Sequence, residues 1–336
     1  MKNTGNVIKL VIGLVIAAGF LVWTLWNVDF GQLVGAFGRV KVWYLVLMVC
    51  IIFFSHWLRC WRWKILLAPV KMTRMKNLFS SLMIGYMANT FMPAHLGEFV
   101  RAYLIGRNES MPASLAFSTI VLERIIDMLS LLVLMAFAIV LYPFPGWLKN
   151  GGYIMFAGTL ALSVFLVLLK LNAEKTSKWI DLFIKAFPEK FKEKVHAILC
   201  SFVSGLNPFV HWSHYIWTIM LSIAIWLCYG IVFYLGFFAF DLGAYNLSAL
   251  TALVLLVITT IGVVVPSSPG YVGTYHKLCQ LGLELFNVPE TPSAAFAVVL
   301  HALNFMPILF VGLFFAYKEG ISLKSLSTRE NLQDSL

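Results

Sequence analysis

The chain has 336 residues, 60% of them hydrophobic and only 12% charged, with a formal net charge of +10 and a mean hydropathy of +0.86. A soluble domain carries about 25% charged residues, so this composition excludes one and points to a polytopic membrane protein. The basic excess then bears on membrane orientation and anionic lipid, not on nucleic acid, for which no aromatic-basic motif exists. Cys50, Cys60, Cys200, Cys228 and Cys279 are scattered, with no CxxC or Cys/His spacing, so neither a metal site nor a cofactor is expected.

Val7–Val28 is a run of 22 residues, apolar apart from Lys9 and a few polar positions, behind Lys2. A signal-peptide core is only about 7–15 residues long, so the run is expected to be an uncleaved first span with Trp23 and Trp26 at an interface. Val42–Leu58 is a second span. Arg59, Arg62, Lys64, Lys71, Arg74 and Lys76 follow without an acid among them, which places this loop and the N-terminus in the cytoplasm. His56, Arg59 and Arg62 are expected to snorkel to lipid phosphates from a helix end.

Leu78–Met92 is apolar but interrupted by Gly85, Asn89 and Pro93, and polar residues return at Gly97–Pro112. Phe117–Tyr142 and Tyr153–Leu169 are long enough to span, around a loop at Pro143–Gly152. Lys170–Ser213 holds seven lysines against four acids, a second cytoplasmic stretch by charge. In it, Ser177–Phe202 has apolar residues at helical spacing and is expected to lie on the membrane surface or pack on protein. Tyr215–Phe240 spans outward to a short external loop at Asp241–Asn246. Leu247–Val265 is apolar until Pro266–Gly273 breaks it, and Pro292–Tyr317 spans again. The short polar tail is expected in the cytoplasm, with no soluble catalytic domain after the last span.

Charge parity constrains the interrupted stretches. Two cytoplasmic loops are separated by an even number of crossings, so the segment 78–106 crosses twice or not at all. A half-helix of about 10–14 residues reaches the bilayer midplane at 1.5 Å per residue. Lipid-exposed irregular backbone does not occur at that depth. A re-entrant hairpin over about 78–106 therefore fits, with Pro93 at its tip; two short tilted crossings are the alternative. The same count makes 247–288 a second hairpin, entering from outside, with Pro266 and Pro269 at its tip. The expected fold is all-α, with about six full spans and two oppositely oriented re-entrant hairpins forming an inverted repeat. A first half at 1–170, a connector at 171–213, a second half at 214–318 and a tail at 319–336 make up one membrane domain.

Paired interrupted segments mark a midplane binding site in transporters. The half-helix N-termini behind each tip favour an anion. Gly97, Gly270 and Gly273 let the backbone approach a ligand. Arg101 lies one turn from Glu98 and can neutralise it or engage a phosphate. Glu123, Arg124 and Asp127 follow about 10–15 Å into the next helix, with Glu123 and Asp127 on one face. These charges line a headgroup path, relay a proton, or lock the helix to the hairpin. Asn89, Tyr275 and His276 complete the candidate set for a lipid headgroup.

Asn89, Pro93, Gly97-Glu98 and Arg101, then Glu123-Arg124 and Asp127, then Pro266, Pro269-Gly270 and Gly273-Thr274-Tyr275 together resemble the lysylphosphatidylglycerol synthetase membrane region, the flippase-like domain family. The resemblance covers essentially the whole chain. It implies a plasma-membrane protein that moves, or helps move, a lipid with an anionic phosphate headgroup between leaflets, such as a phospholipid or a polyprenyl- or hopanoid-type lipid. The aminoacyl-transferring members carry a soluble domain, whose absence implies that this chain does not make the aminoacyl lipid. Many relatives also have glutamate where His276 stands, which weakens a lysyl-lipid role. A second copy of the chain or a separate lipid-synthesising enzyme is the expected protein partner. The rival expectations are a lipid-modifying enzyme using Glu98 or His276 as base, and a lipid-binding scaffold that does not transport.

Overall fold

In the computed structural model the described residues are Gly19, Val22, Thr24, 30–38, 40–91, 96–144, 146–171, 189–206, 211–264 and 268–321. Most of the expected first span, Pro93, Pro266, residues 172–188 and 207–210 of the connector and most of the tail lie outside them.

The described residues form eleven α-helices and no strand. They are α1 (Phe30–Gly38), α2 (Val42–Leu67), α3 (Met75–Phe91), α4 (Gly97–Glu109), α5 (Ala113–Leu141), α6 (Gly146–Leu171), α7 (Glu189–Gly205), α8 (Trp212–Ala239), α9 (Ala249–Val264), α10 (Thr274–Glu284) and α11 (Glu290–Lys318). Segments within α2, α5, α6, α8 and α11 are long and apolar enough to cross a membrane. The chain is an all-α polytopic membrane protein.

Helices α3 and α4 fold into a tight hairpin because two glycines let their backbones touch. A Cβ on Gly85 would lie 2.9 Å from the Gly97 carbonyl oxygen and 2.9 Å from Arg101 Cβ. At the tip, Asn89 Oδ1 accepts the Gly97 N–H at 2.7 Å. At the open end, Glu109 Oε1 accepts the Arg74 N–H at 2.9 Å and an Asn77 amide hydrogen at 2.8 Å. Helices α9 and α10 make the second hairpin, with Gly262 against Leu278 and Gly282 against Leu255 and Ile258. That order of contacts fixes them as antiparallel.

The hairpins open at opposite ends of the bundle. The base of the first lies with the end of α11, where Arg107 and Asn108 donate to Glu319. The base of the second lies with the end of α5, where the Tyr142 hydroxyl donates to the Leu285 carbonyl at 2.9 Å. Lys41 and Asp241 pair across α2 and α8 at 3.0 Å, marking their ends as neighbours. Each hairpin has its own apolar core. One holds Trp63, Leu78, Leu82, Ile105 and Ile120; the other holds Ile52, Leu131, Leu255, Leu283 and Phe296. The level between the two cores carries the buried charges.

One expectation is overturned. Arg59 and Arg62 do not snorkel from a helix end, because α2 continues to Leu67 and buries both, as well as His56, in the bundle. Carboxylates on α5 meet the two guanidiniums there, so they need no lipid phosphate. The positive-inside signal then rests on Lys64, Lys71, Arg74 and Lys76. In α7, Phe202 and Val203 pack with Leu206 against Leu162 and Leu166 of α6 and Val121 and Leu122 of α5. The described part of the connector thus packs on protein.

Candidate functional site

The buried charges arise from helical spacing on three elements. On α2, Arg59, Arg62 and Trp63 share a face at i, i+3 and i+4; on α5, Glu123 and Asp127 do so at i, i+4. Facing each other, they form a closed network. Arg59 Nη1 lies 2.8 Å from Asp127 Oδ2 and 3.2 Å from Glu123 Oε1. Its Nε donates to the Tyr229 hydroxyl at 2.7 Å. Arg62 Nη2 lies 2.6 Å from Asp127 Oδ1, and its Nη1 donates to Ser222 Oγ at 2.9 Å. From α4, Arg101 Nη2 reaches Glu123 Oε2 at 2.6 Å. The Arg101 guanidinium also stacks 3.7 Å over the Trp63 ring, and the Trp63 indole N–H donates to Thr119 Oγ1.

A second pair stands apart. Arg124 Nε lies 2.5 Å from Glu98 Oε1, with side-chain exposures of 29% and 15%. The partners therefore cross over: Arg101 neutralises Glu123 and not its own neighbour Glu98, which belongs to Arg124. Removing one partner of a buried pair costs about 3–5 kcal/mol, so these contacts hold the first hairpin against α2 and α5.

A cavity of 460 Å³ opens beside the Arg124–Glu98 pair, between the hairpins. Arg59, Glu98, Arg124 and Asp127 line one side, and Val232, Phe233, Leu256 and Val263 line another. The tips meet at its edge. Gly270 has φ +60°, a conformation that glycine adopts without a side-chain clash, and a Cβ there would lie 3.4 Å from Thr90 Cγ2. His301 Nε2 donates to the Gly270 carbonyl at 2.8 Å and anchors that tip to α11.

Of the residues singled out from sequence, Asn89, Glu98, Arg124, Asp127 and Tyr275 line the cavity. Arg101 and Glu123 are buried behind it, at 1% exposure each. Gly270 sits at the tip contact, and Gly97 is packed on Gly85 and Asn89 with no room for a ligand. His276 turns back into its own hairpin: its Nδ1 accepts the Gly273 N–H at 3.2 Å and its ring lies 4.6 Å from that of His301. Pro269 opens the short 3₁₀ turn at the second tip.

The half-helix N-terminus of α4 is largely satisfied by the protein itself. Asn89 takes the Gly97 N–H, and the Leu96 carbonyl takes those of Phe99 and Val100. At this first tip, then, the guanidiniums and not the helix dipole are the groups left to meet an anion. Sequence reasoning missed the cavity's Tyr86, Thr90, Tyr229, Tyr271 and Asn304. Asn304 had a signal, being an amide inside an apolar span; the tyrosines had none. Arg59 also had one, because two carboxylates buried on α5 require more counter-charge than Arg124 supplies.

Among the described residues no group of three or more His, Cys, Asp or Glu side chains could hold a metal ion.

The family model for the lysylphosphatidylglycerol synthase TM region matches residues 10–312. A UPF0104 membrane protein of Methanothermobacter thermautotrophicus is 25% identical over 351 aligned positions, covering 100% of both chains. The UPF0104 membrane protein MJ1595 of Methanocaldococcus jannaschii is 27% identical over 71% of this chain and 73% of its own. No solved structure matches the chain. The match over most of its length makes this chain a member of the lysylphosphatidylglycerol synthase transmembrane-region family.

Proposed function

We propose that this protein is a flippase-like lipid transporter, moving a phospholipid or a polyprenyl- or hopanoid-type lipid with an anionic phosphate between leaflets. The observation that carries this is the two-sided cavity between the hairpin tips. A charged side suits a headgroup and an apolar side suits the first part of a chain. At 460 Å³ the cavity falls within the range of about 300–1,000 Å³ typical of ligand pockets.

Charge favours an anion. Among the described residues, four guanidiniums (Arg59, Arg62, Arg101, Arg124) meet three carboxylates (Glu98, Glu123, Asp127) in the cluster. One positive charge is left over at a depth where an unpaired charge costs several kcal/mol. Arg124 faces the cavity with Nε on Glu98, which leaves its two terminal nitrogens for a phosphate.

The hairpins are re-entrant in this proposal, the first from the cytoplasmic side and the second from outside, as an inverted repeat. Supporting it are their opposite open ends, their meeting tips and the basic residues at the base of the first. The N- and C-termini face the cytoplasm of a plasma membrane. Translocation rocks the halves about the cavity, and any uphill transport draws on an ion gradient or a partner, since the sequence has no ATP-binding motif. The chain performs no chemistry on the lipid.

The test is translocation in reconstituted vesicles, with tail-labelled fluorescent phosphatidylglycerol and an impermeant quencher. The protein should speed loss of the protected signal, and Arg124→Gln should return the rate to that of protein-free vesicles in protein shown to be folded by far-UV circular dichroism. Equal rates with and without the Arg124 guanidinium would overturn the proposed site.

A further inference from the structure

A second cavity, of 290 Å³, lies where the open end of the first hairpin meets the end of α11. It shares no lining residue with the central cavity. Lys76 and Asn77 come from the first turn of α3, Asn108 from the last turn of α4, and Phe315, Lys318 and Glu319 from α11 and its cap.

Its one carboxylate is already engaged. Glu319 Oε2 accepts from Arg107 Nη2 at 3.2 Å and from Asn108 Nδ2 at 3.1 Å. The two lysines have no such partner among the described residues. Lys318 Nζ lies 5.8 Å from the Phe314 ring, and neither lysine makes an ion pair with another described residue. The lining therefore carries two cations against one carboxylate, and that carboxylate is held by Arg107 from outside the cavity. Like charges lining one cavity repel, and an anion between them turns that repulsion into attraction. The amides add direction. Asn77 gives one hydrogen to Glu109 and Asn108 gives one to Glu319, so each keeps a second for a ligand. Two ammonium groups and two amide N–H groups match the acceptor oxygens of a phosphate.

We infer that this cavity is a binding site for a phosphate-bearing anion, either the headgroup of a lipid in the adjacent leaflet or a soluble phosphate. Its occupant bridges the base of the first hairpin and the end of α11, and so ties the hairpin to the last helix. The site stands independently of transport through the central cavity.

Melting temperature of the purified chain in detergent, titrated with ligand, tests it. The probes are inorganic phosphate, short-chain phosphatidylglycerol and short-chain phosphatidylcholine. A saturable rise with inorganic phosphate assigns a soluble source; a rise with phosphatidylglycerol alone assigns a lipid headgroup. In either case Lys76→Gln/Lys318→Gln should raise the apparent Kd at least tenfold, and Lys76→Arg/Lys318→Arg should restore it. Arg124→Gln, which disables the central cavity, should leave this binding unchanged. No saturable rise with any probe, an equal rise with phosphatidylcholine, or an unaltered Kd in the double glutamine variant would overturn the inference. Failure of Lys76→Gln/Lys318→Gln to fold shifts the test to the single variants, each expected to raise Kd severalfold.

Discussion

Gly270 and Thr90 are the point at which the two hairpins touch: a Cβ on Gly270 would lie 3.4 Å from Thr90 Cγ2. Gly270 holds φ +60° there, where a residue with a side chain is less stable by roughly 1–2 kcal/mol. Gly270→Ala should therefore lower thermal stability by an amount of that order, and Gly270→Val by more, because its branch also meets Thr90. Differential scanning fluorimetry in detergent checks both; equal melting temperatures for wild type and Gly270→Val would contradict the tip contact.

The crossing of α3 and α4 leaves no space for a methyl group. Gly85→Ala and Gly97→Ala should each destabilise by about 1–3 kcal/mol, the usual cost of overpacking. Gly243, with nothing within 4 Å of its Cβ position, serves as the control and should accept alanine with little change. A melting-temperature series of the three variants decides.

Arg101 is enclosed between Glu123 and Trp63. Arg101→Met should cost about 3–5 kcal/mol, because Glu123 loses a partner in a buried site. The loss is moderated by Arg59 and Arg62, which also face that carboxylate. Arg101→Met/Glu123→Gln should recover part of it. A double-mutant cycle from thermal unfolding measures the coupling, and additive effects would contradict the pair.

Thr260 lines the central cavity from the second hairpin and is only partly buried. Thr260→Phe should fill the space and reduce lipid translocation at least tenfold while leaving the melting temperature near that of wild type. Unchanged translocation would separate this cavity from the transport path.

The two ends of the bundle should label differently. In a background without the five native cysteines, Asp241→Cys should react with an impermeant maleimide on intact cells. Arg107→Cys should react only after permeabilisation. The lost Arg107–Glu319 pair is exposed and is worth only about 0–1 kcal/mol, so the fold should survive. The reverse pattern would invert the proposed orientation.

Sequence alone determined the class of this protein and where its helices break. Hydropathy and charge are summed over long windows, and lipid tolerates few kinds of backbone, so Asn89, Gly97, Pro269 and Gly270 marked the hairpins without any tertiary information. Spacing also revealed that Glu123 and Asp127 share a helix face. What no window could supply was partnership. Arg101 lies three residues from Glu98 yet pairs with Glu123, because the turn of α4 aims the two side chains at different neighbours. Arg59 and Arg62 looked like the end of a span, and only the carboxylates of α5, more than sixty residues later, show why α2 can keep them buried. His276 looked like a ligand contact, but its ring caps its own hairpin against His301. Tyr86, Tyr229 and Tyr271 of the cavity wall are scattered over three elements and carry no pattern in one dimension. Which charges were locked together and which stayed open to a ligand depended on helix packing in three dimensions, and that packing left Arg124 as the guanidinium facing the cavity with donors to spare.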